Sequence, residues 1–354
     1  VAGRRQLETT EAAAGRQPTI TDVARLAGVA VGTVSNVLNA SAPVSTALRD
    51  RVRAAIDRLG YRPNMLAHGL RRQRSNVVGL CVPRTSVAYL AALVEAFEEI
   101  ASDGGYQVMQ VLSHQDPEIE RQRVRALLGY HIGGLILVPG TRPEATFAMV
   151  AAAATPMVVV DRPARGHGFD QVTFDNRAAM RAATGRLIAL GHRRLLFVVR
   201  QRRLIITRQR IEGMREAIEA SGVAAAAAIL ECREEAELPA RLAEALGATP
   251  RPTAIIVSNS TFAAGALRAI DALGLRYPGQ VSLLAFDEPE WAELVRPRLS
   301  VVRQPTRDIA RMAWELLIRR MRGETIGQQR VELQAQLVLR DSVARAPAAP
   351  RRRR

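Results

Sequence analysis

The chain has 354 residues, 48% of them apolar, and fifty basic residues against thirty-four acidic ones give it a formal net charge of +16. That length predicts two or three compact units rather than one core. No apolar run reaches the roughly 18 residues of a membrane helix, the N-terminal VAGRRQLETTEAAAGRQ has no apolar h-region, and Cys81 and Cys232 alone cannot build a disulfide framework or a CxxC metal knuckle.

A cytoplasmic protein without metal or cofactor is therefore expected. Every basic residue is arginine, a preference that a GC-rich genome explains, but composition does not explain where the charge gathers. Residues 1–76 hold twelve arginines against five carboxylates, a net +7 in about a fifth of the chain. A field of that sign favours a polyanion as partner. Residues 1–17 and 343–354 read as disordered basic arms that add non-specific affinity for DNA.

In chain order, residues 18–63 predict short helices. Thr19-Ile20-Thr21-Asp22 has the spacing of a capping box, and Val23, Ala24, Leu26 and Ala27 give the helix that follows one apolar face. Gly28 ends it at a tight turn. Val31 to Asn39 predicts a second helix with Val34, Val37 and Leu38 inward. Ser45 is placed to cap a third, along which Leu48, Val52, Ile56 and Leu59 recur at helical spacing. Gly60-Tyr61-Arg62-Pro63 ends that helix, and Asn64 caps a short one from Met65 to Leu70 within a hinge and linker over 64–76.

From Val77 the pattern changes. VVGLCV, YQVMQV, GLILV, MVVVD, LLFVV, TAIIVS and VSLLAF are short apolar runs alternating with helix-period segments. Such runs predict parallel sheets covered on both faces. They are too many for one small sheet, and RPARGHGFDQVTFD (162–175) reads as a break between two subdomains, about 77–173 with 305–333 and about 174–304 with 334–342. Ligands of such sheets bind at the carboxyl ends of the strands, here in the cleft between the lobes.

TITDVARLAGVAVGTVSNVLN, VSTALRDRVRAAIDRLGYRPN and MLAHGL, taken together, resemble the DNA-binding headpiece of the LacI/GalR repressor family. The resemblance continues through Val82-Pro83, Asp161-Arg162, Asp175-Asn176, Leu190-Gly191-His192, GALRAI, VSLLAFD, LSVVRQP and LVLRDS, from Pro18 to Ser342. It implies a helix-turn-helix headpiece with a hinge helix, then a core of two doubly wound parallel-sheet subdomains like that of the periplasmic binding proteins. It also implies a homodimeric transcription repressor on a pseudo-palindromic operator, controlled by a small molecule, with helix Ala88–Ser102 and its neighbours at the two-fold interface. The proline- and arginine-rich tail is not the heptad segment that larger oligomers of the family need.

In a helix-turn-helix the second helix enters the major groove with its N-terminal residues against base edges. Val31, Gly32 and Asn36 take those positions. Asn36 can bridge the N6 and N7 of adenine, Val31 can touch a thymine methyl, and Gly32 discriminates weakly. Thr33, Ser35 and Asn39 suit phosphate contacts and register, and the resemblance adds Thr19, Ser45 and Tyr61. Ala30 stands where the family usually has a capping serine, a loss of about 1 kcal/mol. By the same resemblance Leu70, with Ala67 one turn earlier and Asn64 and His68 on the same short helix, wedges into the minor groove.

The resemblance places effector contacts on Ser86, Tyr89, Asp161, Arg208, Asn259, Asp287 and Gln304. Asp287 facing Arg208 would grip sugar hydroxyls, or Arg208 a carboxylate; the bland alternative is an interdomain salt bridge. The sequence departs from the family at Val87-Ala88-Tyr89-Leu90, at Asn259-Ser260 where a carboxylate is lost, and at RQRRLIIT after LLFVV, which lacks the expected glycines. A positively biased cleft favours a sugar phosphate or acid over a neutral sugar. The other readings are a solute-binding receptor sharing the two-lobed core and an architectural DNA-binding protein that senses nothing. No P-loop, nucleophile elbow or HExxH appears, and His192 is expected to pack. Asp161 with Asp287 could in principle be a hydrolase pair, but the resemblance implies binding without turnover; no enzyme is expected.

Overall fold

A computed structural model describes residues 18–39, 42–62, 75–163 and 166–347. They belong to two compact units that divide between Gln73 and Arg74. Asn64, Ala67, His68 and Leu70, on which the hinge and wedge expectations rest, lie outside the described residues.

The first unit holds α1 (Ile20–Ala27), α2 (Val31–Asn39) and α3 (Thr46–Leu59). Val23, Ala24 and Ala27 of α1 meet Val34 of α2 and Val52 and Ala55 of α3 in one buried cluster, with Val37, Leu38, Ile56 and Leu59 half-buried around it. Leu26, expected on the same face, is instead 43% exposed. It lies roughly 100° around the helix from the centre of that stripe, where packing no longer reaches it.

At the start of α1 the Asp22 carboxylate accepts the Thr19 N–H at 2.9 Å and the Thr19 hydroxyl at 2.6 Å. Gly28 closes α1 in the left-handed conformation (φ 63°), which a residue with a Cβ would adopt only under strain. Its turn has a support that the sequence did not announce. Arg51 of α3 donates from Nη2 to the carbonyls of Ala27 at 2.5 Å and Gly28 at 3.3 Å, satisfying acceptors that a helix end leaves open.

The second unit holds two six-stranded sheets. The first is built from β1 (Val77–Val82), β2 (Gln107–Leu112), β3 (Gly134–Leu137), β4 (Met157–Val160), β5 (Asp170–Phe174) and β11 (Arg330–Leu333), in the order β11-β5-β4-β3-β1-β2. The second repeats that order with β6 (Arg194–Val199), β7 (Ala226–Glu231), β8 (Ala254–Val257), β9 (Ser282–Phe286), β10 (Ser300–Arg303) and β12 (Gln336–Val338), as β12-β10-β9-β8-β6-β7. All pairings are parallel except β12 on β10, which is antiparallel.

Each sheet is covered on both faces, which is why its central strands tolerate no polar side. On the first, α4 (Ala88–Asp103) and α11 (Thr306–Met321) bring Leu93, Phe97 and Leu317 to one face, and α5 (Pro117–Gly129) and α6 (Glu144–Ala152) bring Leu127 and Phe147 to the other. On the second, α7 (Asn176–Ala189) and α8 (Ile205–Ala220) contribute Met180, Leu187 and Met214, while α9 (Leu238–Gly247) and α10 (Ser260–Ala272) contribute Leu242 and Phe262. Each such side chain adds roughly 1.5–3 kcal/mol when fully buried. At the crossing of α7 and α8 a Cβ on Gly213 would collide with the Arg177 carbonyl, so glycine sets how closely the two helices approach.

The expected break at 162–175 is only partly a break. Asp170–Phe174 forms β5, inside the first sheet between β4 and β11. Its Asp170 is buried and held by Arg320 Nε at 2.8 Å, so a charge that looked like loop is paired inside the fold.

Candidate functional site

In the first unit α2 carries the residues expected to meet DNA. Gly32 is exposed with nothing within 4 Å of where a Cβ would be. Thr33, Ser35 and Asn36 are partly exposed along the helix, and Asn39 is its last residue. Val31 is half-buried and packs against the headpiece cluster, as does Tyr61. Thr19 sits at the N-terminus of α1, tied to Asp22. Ser45 stands at the N-cap of α3, yet its hydroxyl makes no cap hydrogen bond and the residue is exposed. Ala30, at the mouth of α2, offers only its carbonyl, to the N–H groups of Thr33 at 2.9 Å and Val34 at 3.3 Å.

In the second unit a pocket of about 80 Å³ opens where strand ends from both sheets converge. Arg84 follows β1, Gln115 follows β2, Asp161 and Arg162 follow β4, Arg200 follows β6, Asn259 follows β8, and Asp287 and Gln304 follow β9 and β10. The two carboxylates occupy equivalent places in the two sheets, and both have left-handed backbones, φ 67° at Asp161 and φ 70° at Asp287. For a residue with a side chain that conformation costs on the order of 1–3 kcal/mol, and such strain gathers at functional sites.

Arg210 lies between them. It is 4% exposed, donates from Nε to Asn176 Oδ1 at 2.7 Å and from Nη1 to the Ser258 carbonyl at 3.0 Å, and stacks 3.8 Å from the Phe286 ring centroid. Burial lowers its pKa to about 10, against the pull of Asp287 and Asp161. Burial likewise raises Asp287 to about 6, although Arg210 and the Ser260 N–H oppose the rise. Asp161 is also raised by burial, opposed by Arg162 and Arg210. Asp287 accepts the Ser260 N–H at 3.2 Å and the side-chain amide of Gln304. Across the lobes the Ser260 hydroxyl accepts the Ala88 N–H at 3.1 Å.

The wall of the pocket is polar and incompletely satisfied. Arg84 Nε, Tyr89 Oη, Gln115 Oε1 and Gln304 Oε1 are buried without a hydrogen-bond partner. Groups of that kind cost about 1–3 kcal/mol each unless something supplies the missing bond. Four arginines (84, 162, 200 and 210) stand against Asp161 and Asp287 in the lining. Glu235 outside it takes Arg200 at 2.8 Å and Arg84 at 3.9 Å. Burial and the neighbouring Arg200 both lower the Arg84 pKa.

Of the seven residues expected here, Tyr89, Asp161, Asn259, Asp287 and Gln304 come together in this pocket. Ser86 is exposed and is not part of this pocket's lining, and Arg208 lines an adjoining cavity rather than this one. The guanidinium facing Asp287 is Arg210. The signal was present in α8: Thr207, Arg210, Gly213, Met214 and Ala217 are its buried residues at helical spacing, a stripe that includes Arg210 and leaves Arg208 on the other side. Arg84, Arg162 and Arg200 were missed as well, although each charge closely follows an apolar strand. His192 is buried, with Nδ1 3.0 Å from Thr253 Oγ1 and Nε2 3.0 Å from the Ala344 carbonyl, which fits a packed, neutral ring.

Residues 19–64 match the family "Bacterial regulatory proteins, lacI family", and residues 184–343 match "Periplasmic binding protein-like domain". The HTH-type transcriptional regulator GalR of Escherichia coli (strain K12) is 33% identical over 302 residues, covering 85% of this chain and 88% of that one. The chain belongs to the LacI family. CelR of Thermobifida fusca, another HTH-type transcriptional regulator, is 33% identical over 338 residues, 92% of this chain and 98% of its own. Among solved structures, the Lac repressor dimer bound to operator and the anti-inducer ONPF superposes with a TM-score of 0.82 at 25% identity, over 93% of this chain and all of that one. A complex of CelR with cellobiose gives 0.68 at 31% identity, over 92% of this chain and 99% of that one. The protein is thus a DNA-binding transcriptional regulator with an effector-binding domain, and its relatives are regulators rather than enzymes. Among the described residues no helix is long and apolar enough to cross a membrane.

Proposed function

We propose that this LacI-family regulator is a repressor that binds a pseudo-palindromic operator as a homodimer and releases it when a small anionic metabolite enters the cleft of the core. The observation that carries the effector reading is the pocket itself: four arginines against two carboxylates, with buried polar atoms from both lobes left without partners. A ligand bearing a phosphate or carboxylate would supply acceptors for Arg84 and Arg162, and its hydroxyls would serve Tyr89, Gln115 and Gln304. Two relatives solved with a ligand hold ONPF and cellobiose; the charge excess here favours an anion instead.

The DNA reading rests on α2, where Gly32 is open to solvent and Asn36 lies one turn on. Thr19, Ser45 and Tyr61 fit phosphate contacts that fix register, while Thr33, Ser35 and Asn39 extend them along the helix. Coupling follows from the cleft. A ligand that bridges Asp161 and Arg162 of one lobe to Arg210 and Asp287 of the other changes the balance between lobe arrangements, and its affinity and that for DNA are linked by one reciprocal factor.

The test is operator release measured over a panel of sugars, sugar phosphates and organic acids, in the native protein and in Arg84→Gln/Arg200→Gln. Release by an anionic compound, weakened in the double variant, supports the reading; release by neutral sugars alone contradicts it. One observation favours a second reading. At about 80 Å³ the pocket is smaller than the roughly 300–1,000 Å³ of most small-molecule sites, and two of its arginines, Arg200 and Arg210, already have partners. An architectural protein that senses nothing would bind its operator equally with every compound on the panel.

A further inference from the structure

The pocket does not end at its own wall. A second cavity of about 250 Å³ adjoins it, sharing Arg162 and Leu204, and a third of about 670 Å³ adjoins the second, sharing Thr141 and Arg203. The outer two add Arg142, Arg202, Arg203, Arg208 and Arg233 to the four arginines of the inner pocket. Their opposing charges are Glu144 and Glu231, the latter 3.7 Å from Arg233. Arg142, Arg202, Arg203 and Arg208 are exposed and form no ion pair among the described residues. Arg162, 4% exposed and with no hydrogen bond on Nε, lines both the inner and the second cavity. The N-terminus of α8, sixteen residues long and without a side-chain cap, lies on the same path, with Ile206 and Thr207 on the inner pocket and Ile205 on the second cavity. Its unpaired N–H groups add to the field for an anion.

From this we infer that the effector is an elongated metabolite with two separated anionic groups, and that the outer arginines form a second phosphoryl site. The inference rests on the proposal that the inner pocket takes an anion. One phosphoryl group sits with Arg84, Arg162 and Arg200, and a second, further out, is held by Arg202, Arg203 and Arg142. Guanidinium groups suit this task because each donates two parallel hydrogen bonds to a phosphate. A ligand with a single charged end leaves the outer arginines unused.

Calorimetric titration of the full chain with orthophosphate and with tripolyphosphate tests this, using the native protein, Arg202→Ala/Arg203→Ala, Arg84→Gln/Arg200→Gln, and Arg268→Ala/Arg276→Ala as a control of equal charge loss. All three changed arginine pairs lie at accessible or half-buried positions, and thermal melts check that the variants remain folded. Tripolyphosphate is expected to bind the native protein at least about tenfold more tightly than orthophosphate. The outer pair should erase most of that preference and leave orthophosphate affinity as it was, while the control pair retains the preference. Equal affinity for the two ions in the native protein overturns the second site and leaves the inner reading standing. A preference that survives in the outer pair also overturns it, since the polyphosphate then binds elsewhere, as on the DNA-binding unit. Orthophosphate binding that is absent, or indifferent to the inner pair, overturns the inner reading, and the second site falls with it.

Discussion

At Asp287 the fold keeps a carboxylate that its surroundings do not favour ionised. Burial raises its pKa from 3.8 to about 6. In the unfolded chain the group ionises near 4, in the folded one only near 6, so its contribution to stability is greatest at low pH and declines as pH rises through that window. Asp287→Asn should remove the decline, read as a Tm that no longer falls between about pH 4 and pH 7. The same proton matters for binding. Sulfate, which does not titrate here, should bind more tightly near pH 5 than near pH 7.5 because one negative charge has left the cleft. The Asn variant should flatten that profile, and an unchanged profile would remove Asp287 from the site. On α2, Gly32→Ala meets no atom within 4 Å and replaces the poorest helix former other than proline. It should stabilise the headpiece by roughly 0.5 kcal/mol, with altered base preference at the position it faces. Asn36→Ala should flatten sequence preference more than it lowers binding to random DNA, and equal losses on both DNAs would count against a base-edge role.

At the scale of elements, the turn between α1 and α2 depends on a residue from α3. Arg51→Ala should raise amide exchange at the end of α1 and destabilise the headpiece by about 1 kcal/mol, with the core's melting unchanged. How legible each element was depended on where its information lies. The helices of the headpiece were readable because caps, glycine stops and apolar spacing are local, and the central strands because burial on both faces leaves a continuous apolar run. β5 escaped because DQVTF begins with a charge whose partner, Arg320, lies 150 residues away. β7 escaped because AAAILE is a stretch of good helix formers, made a strand by its pairing with β6. β11 and β12 are short, only partly buried and follow the last helix, where sequence gives no hint of which sheet each joins. The site divided in the same way. Tyr89, Asp161 and Asp287 follow apolar strands and could be placed by motif, whereas choosing Arg210 over Arg208 needed the phase of α8.

For the whole molecule, the two sheets share one strand order, and their carboxyl ends meet around a single polar cleft. That arrangement gives a ligand two halves to bridge, and the proposed regulation needs no more than a difference in affinity between lobe arrangements. Leu70→Ala, outside the described residues, should lower operator affinity and DNA bending while effector binding stays intact; unaltered bending would remove the wedge. All of this depends on α2 reading a two-fold site. The most direct test is selection of bound sequences from random DNA, followed by titration of the recovered site and its scrambled counterpart at moderate salt. The account predicts an inverted repeat whose half-sites lie about one helical turn apart, or a multiple of it, bound at least about a thousandfold more tightly than the scrambled duplex. Recovery of no symmetric sequence, with both duplexes bound alike, would contradict it.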